Sequence, residues 1–161
     1  MRYRKNQKGQ TLIELALIIA LLSVILLGIT EFARAWLTKN ALKNAVRQGA
    51  RVAAVTPATN LTPTSFTCNQ PCPNSNVLIN AVCCQPGVKA GTSVTLMCMN
   101  EGGSTISCSN ISSNGTVKIS ANYNDPNFFV VGGKQFELLG ISIWPWEKSL
   151  NITVDASMRY E

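Results

Sequence analysis

The chain has no histidine. The usual general base, the commonest metal ligand and the c-type haem attachment motif are all missing with it. Cys-x-x-Cys does not occur either, which removes the common redox dithiol. No phosphate-binding loop is present, because Gly132-Gly133-Lys134 lacks the upstream glycine at the required spacing. The carboxylates are too scattered to suggest an acid–base pair. Catalysis is therefore not expected, and neither is a cofactor or a metal.

Two further absences are positional. No acidic residue occurs in the first nine positions, where Arg2, Arg4, Lys5 and Lys8 place four positive charges. No charge at all occurs from Leu15 to Ile29, where only Ser23 and Gly28 are not plainly apolar. Extended back to Thr11, that run has the length of a helix that crosses a bilayer. Glu14 is the one ionisable group inside the longer stretch. A carboxylate in hydrocarbon is costly enough to mark a functional site, against the plainer reading of a side chain that snorkels to the interface.

The net charge of +6 is unevenly spread. Beyond the leader, Arg34, Lys39, Lys43, Arg47 and Arg51 follow the apolar run, opposed there only by Glu31. From Thr56 onward five Lys/Arg face six Asp/Glu. These cations do not alternate with aromatic residues along a strand, so they suit membrane flanks and a solvated helix face, and no nucleic acid is expected as a partner.

No proline precedes Pro57. Lys39, Lys43, Arg47 and Arg51 recur every fourth residue, with Ala35, Leu42, Ala45, Val46, Gly49, Val52 and Ala53 on the opposite side. The pattern predicts one unbroken helix from Gln10 to Val55, about 69 Å long at the α-helical rise. Residues 10–30 form its apolar half and 31–55 its amphipathic half. Residues 56–76, rich in Pro, Thr, Asn and Ser, read as a linker.

Residues 77–161 read as a β-rich head. Val77–Val82 is apolar but too short for its period to decide between strand and helix. Thr92–Met99 alternates and is followed by the turn cluster Asn100–Ser104 and an expected partner strand, Thr105–Ile111. Gly115–Tyr123 alternates up to a break at Asn124-Asp125-Pro126-Asn127, Phe128–Val131 and Phe136–Ile143 are apolar, and Leu150–Met158 alternates again. The expected fold is α+β: a long N-terminal transmembrane or filament-core helix packed on a C-terminal antiparallel sheet.

Six cysteines, Cys68, Cys72, Cys83, Cys84, Cys98 and Cys108, point to disulfides if the head is exported. Cys98 and Cys108 flank a turn and would face each other. Cys83 and Cys84, being adjacent, should reach different partners, with Cys68 and Cys72 as candidates. A zinc site is the second reading, but the spacing is not a standard one. Trp144-Pro145-Trp146 reads as a sheet-edge pair or an exposed aromatic patch. Asn60, Asn110, Asn114 and Asn151 each begin an Asn-x-Ser/Thr sequon.

A basic leader ending in Gly9, then Gln10-Thr11-Leu12-Ile13-Glu14, then a long apolar helix resembles the class III signal of type IV pilin-like proteins. Phe32-Ala33-Arg34-Ala35, Ala45–Ala54 and the ending Ala156–Glu161 are similar to TadE-like pilins of tight-adherence systems. The resemblance implies that residues 1–9 are a leader, cut by a prepilin peptidase between Gly9 and Gln10. It also implies that Glu14 pairs with the freed α-amino group, often that of a neighbouring subunit.

Assembly would then run through Glu14, Leu15, Leu17, Ile18, Leu21, Leu22 and Ile25. The product is a homo-oligomeric or mixed pilin filament, built on an inner-membrane assembly platform. The precursor would sit in the cytoplasmic membrane and the filament outside the cell. Two alternatives stand beside this. One is an uncut signal-anchored adhesion or binding module that keeps Met1. The other is ordinary signal cleavage that leaves Trp36 first.

Overall fold

In the computed structural model, residues 8–62, 64–69, 72–125, 137–138, 141–142 and 149–160 are described. The chain divides into two compact units, Met1–Ala35 and Trp36–Glu161. Helix α1 runs from Lys8 to Val55 without a break, as its lack of proline predicts. At its end Thr56 Oγ1 donates to the Val52 carbonyl oxygen at 2.6 Å, and Pro57 follows with no N–H to continue the ladder.

Within the second unit α1 buries the face that its sequence pattern marks. Leu42, Ala45, Val46 and Ala53 are fully buried, and Gly49 is buried between them. Ala50, Ala54 and Thr38 are buried as well, which widens the seam beyond the expected residues, while Val52 is only half-buried, as is Ala35, the last residue of the first unit. Lys39, Lys43, Arg47 and Arg51 are all exposed. Small residues on the buried face allow a close approach. A Cβ on Gly49 would overlap Val82 Cγ2 and lie 3.1 Å from Ile119 Cδ1. Gly87 does similar work at the next contact. Its φ of +85° is one that other residues rarely adopt, and a Cβ there would stand 2.9 Å from the Ala41 Cβ.

The sheet is antiparallel. Strands β1 (Ser65–Thr67), β2 (Ser93–Met99), β4 (Thr116–Asp125) and β7 (Leu150–Arg159) lie in that order, with β3 (Thr105–Ile106) also paired to β2. The register sets Val94 opposite Ala121, Leu96 opposite Ile119 and Cys98 opposite Val117. It also sets Ala121 opposite Val154 and Tyr123 opposite Ile152. One face of the sheet is therefore aliphatic and meets α1. Each fully buried Leu, Ile or Val contributes about 1.5–3 kcal/mol. The other face is Ser-, Thr- and Asn-rich and carries an ion pair, Lys118 Nζ to Asp155 Oδ2 at 3.1 Å. Strands β5 (Glu137–Leu138) and β6 (Ile141–Ser142) pair separately.

Three details depart from expectation, and the run at Val77 settles a choice that the sequence left open. First, the partner strand expected over Thr105–Ile111 is only two residues long and gives way to a 3-10 turn, Cys108–Asn110. Second, β4 does not stop at Tyr123. It continues to Asp125, where Asn124 pairs with Asn151 and Asp125 with Leu150. Val77–Cys83 is a helix, α2, because Asn76 caps it: its Oδ1 accepts from Leu78 N at 3.0 Å and Ile79 N at 3.2 Å. Third, the tract expected as a linker holds a 3-10 turn, Ala58–Asn60, and edge strand β1, with Leu61 fully buried.

Three disulfides join Cys68 to Cys83, Cys72 to Cys84 and Cys98 to Cys108, and no described cysteine is free. The adjacent pair at the C-terminal end of α2, Cys83 and its cap Cys84, thus reaches two separate points of the 56–76 tract and ties it down. The chain end is tied as well. Tyr160 N donates to the Gly115 carbonyl at 2.8 Å, and Tyr160 Oη to the Thr56 carbonyl at 3.1 Å.

The runs Phe128–Val131 and Gly132-Gly133-Lys134, the pair Trp144 and Trp146, and residues 1–7 lie outside the described residues, as does half of Phe136–Ile143.

Candidate functional site

The described part of the first unit is a single stretch of helix whose apolar side chains are uncovered. Leu15, Leu17, Ile18, Leu21, Leu22 and Ile25 are each half or more exposed, and the same holds for Leu12, Ile13, Ile19, Val24, Leu26 and Ile29. Water does not tolerate a continuous apolar sleeve of this kind, so another apolar phase must cover it. Length and composition make α1 the one helix among the described residues able to cross a membrane.

The polar residues of the sleeve are satisfied locally. Ser23 Oγ donates to the Ile19 carbonyl at 2.8 Å and Thr30 Oγ1 to the Leu27 carbonyl at 2.9 Å. Each hydroxyl therefore enters an apolar phase already hydrogen-bonded. At the far end Arg34 Nη2 lies 3.0 Å from Glu31 Oε2, a pair one helical turn apart that neutralises the first charges after the run.

Glu14 is different. Its Oε1 accepts one hydrogen bond, 3.1 Å from Gln10 Nε2, and the side chain is otherwise exposed on the sleeve. A carboxylate accepts about four hydrogen bonds when fully satisfied, so the described residues fill only part of its capacity. Gln10 sits one turn before Glu14, and the same turn carries Gly9. A Cβ on Gly9 would meet nothing within 4 Å, so the fold of this chain places no demand for glycine there. The Gly9–Gln10 bond falls at the start of the described part of α1.

The structure thus brings Gly9, Gln10 and Glu14 within about one and a half turns of α1, and sets the six named aliphatic residues on the helix that follows. It does not bring the cysteines near them in sequence or in unit: all six belong to the Trp36–Glu161 unit. Among the described residues no cluster of acids and cysteines is suited to a metal ion. Sequence reasoning singled out Glu14 but missed its bond to Gln10, although an amide four residues before a carboxylate on a helix is a legible signal.

Residues 9–51 match the family model described as TadE-like protein. The match covers nearly all of α1 and ends before the head, so the long helix carries the pattern of that family; the resemblance noted for Ala156–Glu161 lies outside it. No curated protein and no solved structure was found to match the chain.

Proposed function

We propose that the chain is a structural subunit, major or minor, of a pilus-type filament of the tight-adherence kind. The observation that carries this reading is the long apolar sleeve that holds, near its N-terminal end, one carboxylate, Glu14. A helix with such a sleeve is stable in lipid, and it can leave lipid only for another apolar environment. A bundle of like helices supplies one. The TadE-like match over the same residues supports the filament as that destination.

In this reading a prepilin peptidase removes residues 1–9, and with them the four cations of the leader. Peptide hydrolysis at Gly9 leaves an α-amino group on Gln10, a new cation at the helix start. Glu14 pairs with that group on a neighbouring subunit and sets the axial stagger. Gly9, which the chain's own packing does not require, serves the peptidase. Before cleavage the subunit sits in the cytoplasmic membrane. Afterwards it enters a homo-oligomeric or mixed filament through an inner-membrane assembly platform, with the head outside the cell. The reading assigns the chain no catalysis and no cofactor.

A second reading is an uncut, membrane-anchored adhesion module. The Gln10–Glu14 hydrogen bond favours it, because it gives the carboxylate a partner without a free amine. Electron microscopy of sheared surface filaments, with mass spectrometry of their subunits, separates the two. Recovery of this chain within filaments supports the first, and its retention in membranes as a monomer supports the second.

A further inference from the structure

The asparagines in the irregular segments of the head fall into two sets. Asn69, Asn74, Asn76 and Asn100 use their side-chain oxygens to build turns. Asn69 accepts from Gly91 N at 2.8 Å, Asn74 from Asn76 N at 2.9 Å, Asn100 from Ser104 N at 2.9 Å, and Asn76 caps α2. None of these begins an Asn-x-Ser/Thr sequence. Asn60, Asn110 and Asn114 all do. All three are exposed, and among the described residues no backbone group bonds to their carboxamides. The nearest approach is Ser109 Oγ to Asn110 Oδ1 at 3.5 Å, which leaves the nitrogen free. The fold thus employs the asparagines that cannot be acceptors and leaves idle those that can.

These three also share a location. Asn60 ends one 3-10 turn and Asn110 the other, and the two turns pack against each other. Asn114 lies in the next turn, where its backbone N donates to the Ser112 carbonyl at 2.9 Å. The middle residue of two of the sequons points inward: Leu61 and Ile111 are buried in the core, while Thr62 and Ser112 are exposed. The acceptor nitrogens therefore face solvent from one corner, with the core side of the segment filled by aliphatic groups. Asn151, the fourth sequon, lies instead within strand β7 opposite Asn124.

We propose that Asn60, Asn110 and Asn114 form a cluster of N-glycan acceptor sites at this corner of the head. The donor is an oligosaccharide on a polyprenyl diphosphate, delivered by a membrane-bound oligosaccharyltransferase. The asparagine Nδ2 forms a bond to the sugar C1, the bond from C1 to the diphosphate oxygen breaks, and Nδ2 loses a proton as polyprenyl diphosphate departs. No oxidation or reduction is involved. The hydroxyl two residues on, from Thr62, Ser112 or Thr116, is the group that positions the carboxamide in such acceptors. Because Leu61 and Ile111 are seated in the core, transfer precedes folding of this corner, on the chain as it leaves the membrane. Once folded, the fold accommodates the sugars without displacing a hydrogen bond.

The test is peptide-level mass spectrometry of the full chain purified from the cells that make it. Peptides containing Asn60, Asn110 or Asn114 are expected to carry a glycan mass, removed by a peptide-N-glycosidase with conversion of the asparagine to aspartate. The N60Q/N110Q/N114Q variant is expected to lose that mass and to keep its disulfides. Unmodified peptides at all three positions in the wild-type chain overturn the proposal, whatever the state of Asn151 and whether or not the variant folds. The readout is independent of filament assembly, so this proposal and the pilus reading fail separately.

Discussion

Gln10 Nε2 donates to Glu14 Oε1 across 3.1 Å, one helical turn apart. The residue that would open the cleaved chain is thus in contact with its own chain's carboxylate, the group that a neighbouring subunit's new amine is to meet. The amide is a neutral donor, and an ammonium bond to the same oxygen is roughly twice as strong. Cleavage would therefore exchange a weak partner for a strong one.

Glu14→Gln and Glu14→Ala should leave the head intact, since Glu14 lies in the other unit from every disulfide and core residue. Both variants should insert in the membrane at wild-type levels or better, because a costly charge is gone. Assembly should fall to background, because the freed amine then enters the bundle unpaired. Quantifying the subunit in sheared filaments against the membrane fraction checks this; equal assembly of wild type and variants would remove the role of Glu14.

Two glycines of α1 should respond oppositely to alanine. A Cβ on Gly28 meets nothing within 4 Å, so Gly28→Ala should be neutral or gain up to about 1 kcal/mol of helix propensity. At Gly49 the new methyl overlaps Val82 and crowds Ile119. Overpacking of this kind costs roughly 1–3 kcal/mol, which outweighs the propensity gain. Thermal unfolding of the detergent-solubilised full chain, followed by the near-ultraviolet signal of the head, should show a lower Tm for Gly49→Ala alone.

The periodicity of α1, the lack of proline before Pro57 and the alternation in Gly115–Tyr123 and Leu150–Met158 sufficed to place the helix and the two long strands. These are local patterns, and the core simply uses them. Residues 56–76 resisted such reading because their order is borrowed. Leu61 is buried beside the contact of the two 3-10 turns, and Cys68 and Cys72 are held by the cysteines that end and cap α2. The short β3 has a similar cause. In register Cys98 faces Ile106, so a longer strand would carry Cys108 past its partner, and the chain coils at Cys108 to bring the sulfurs together. Val77–Cys83 needed its cap, Asn76, to be recognised as a helix start. On the candidate site, Gly9, Gln10 and Glu14 were legible from the leader pattern and the lone acid, whereas the amide–carboxylate contact between them was not sought.

Removing the Cys98–Cys108 bridge with a double serine substitution should destabilise the head by about 2–3 kcal/mol, the loop-closure value for a separation of 10 residues. Both sulfurs are buried, so the serine hydroxyls add to the cost. Non-reducing peptide mapping should recover all three pairings in the wild-type chain, with only the other two surviving in the variant.

Asp155→Asn should matter far less. The Lys118–Asp155 pair lies on the solvated face of the sheet, with side-chain exposures of 37% and 57%. Screening at such exposure holds its contribution below about 1 kcal/mol. A chemical-denaturation midpoint within error of wild type at physiological salt is the expected result.

The most direct test is the N-terminus of the protein as cells carry it, read by intact mass and by N-terminal peptide mapping of both membrane and surface fractions. A chain that begins at Gln10, recovered in filaments, is what trimming and bundling of the apolar sleeve predict. A chain that still begins at Met1, found only as a solitary membrane protein, would contradict the account.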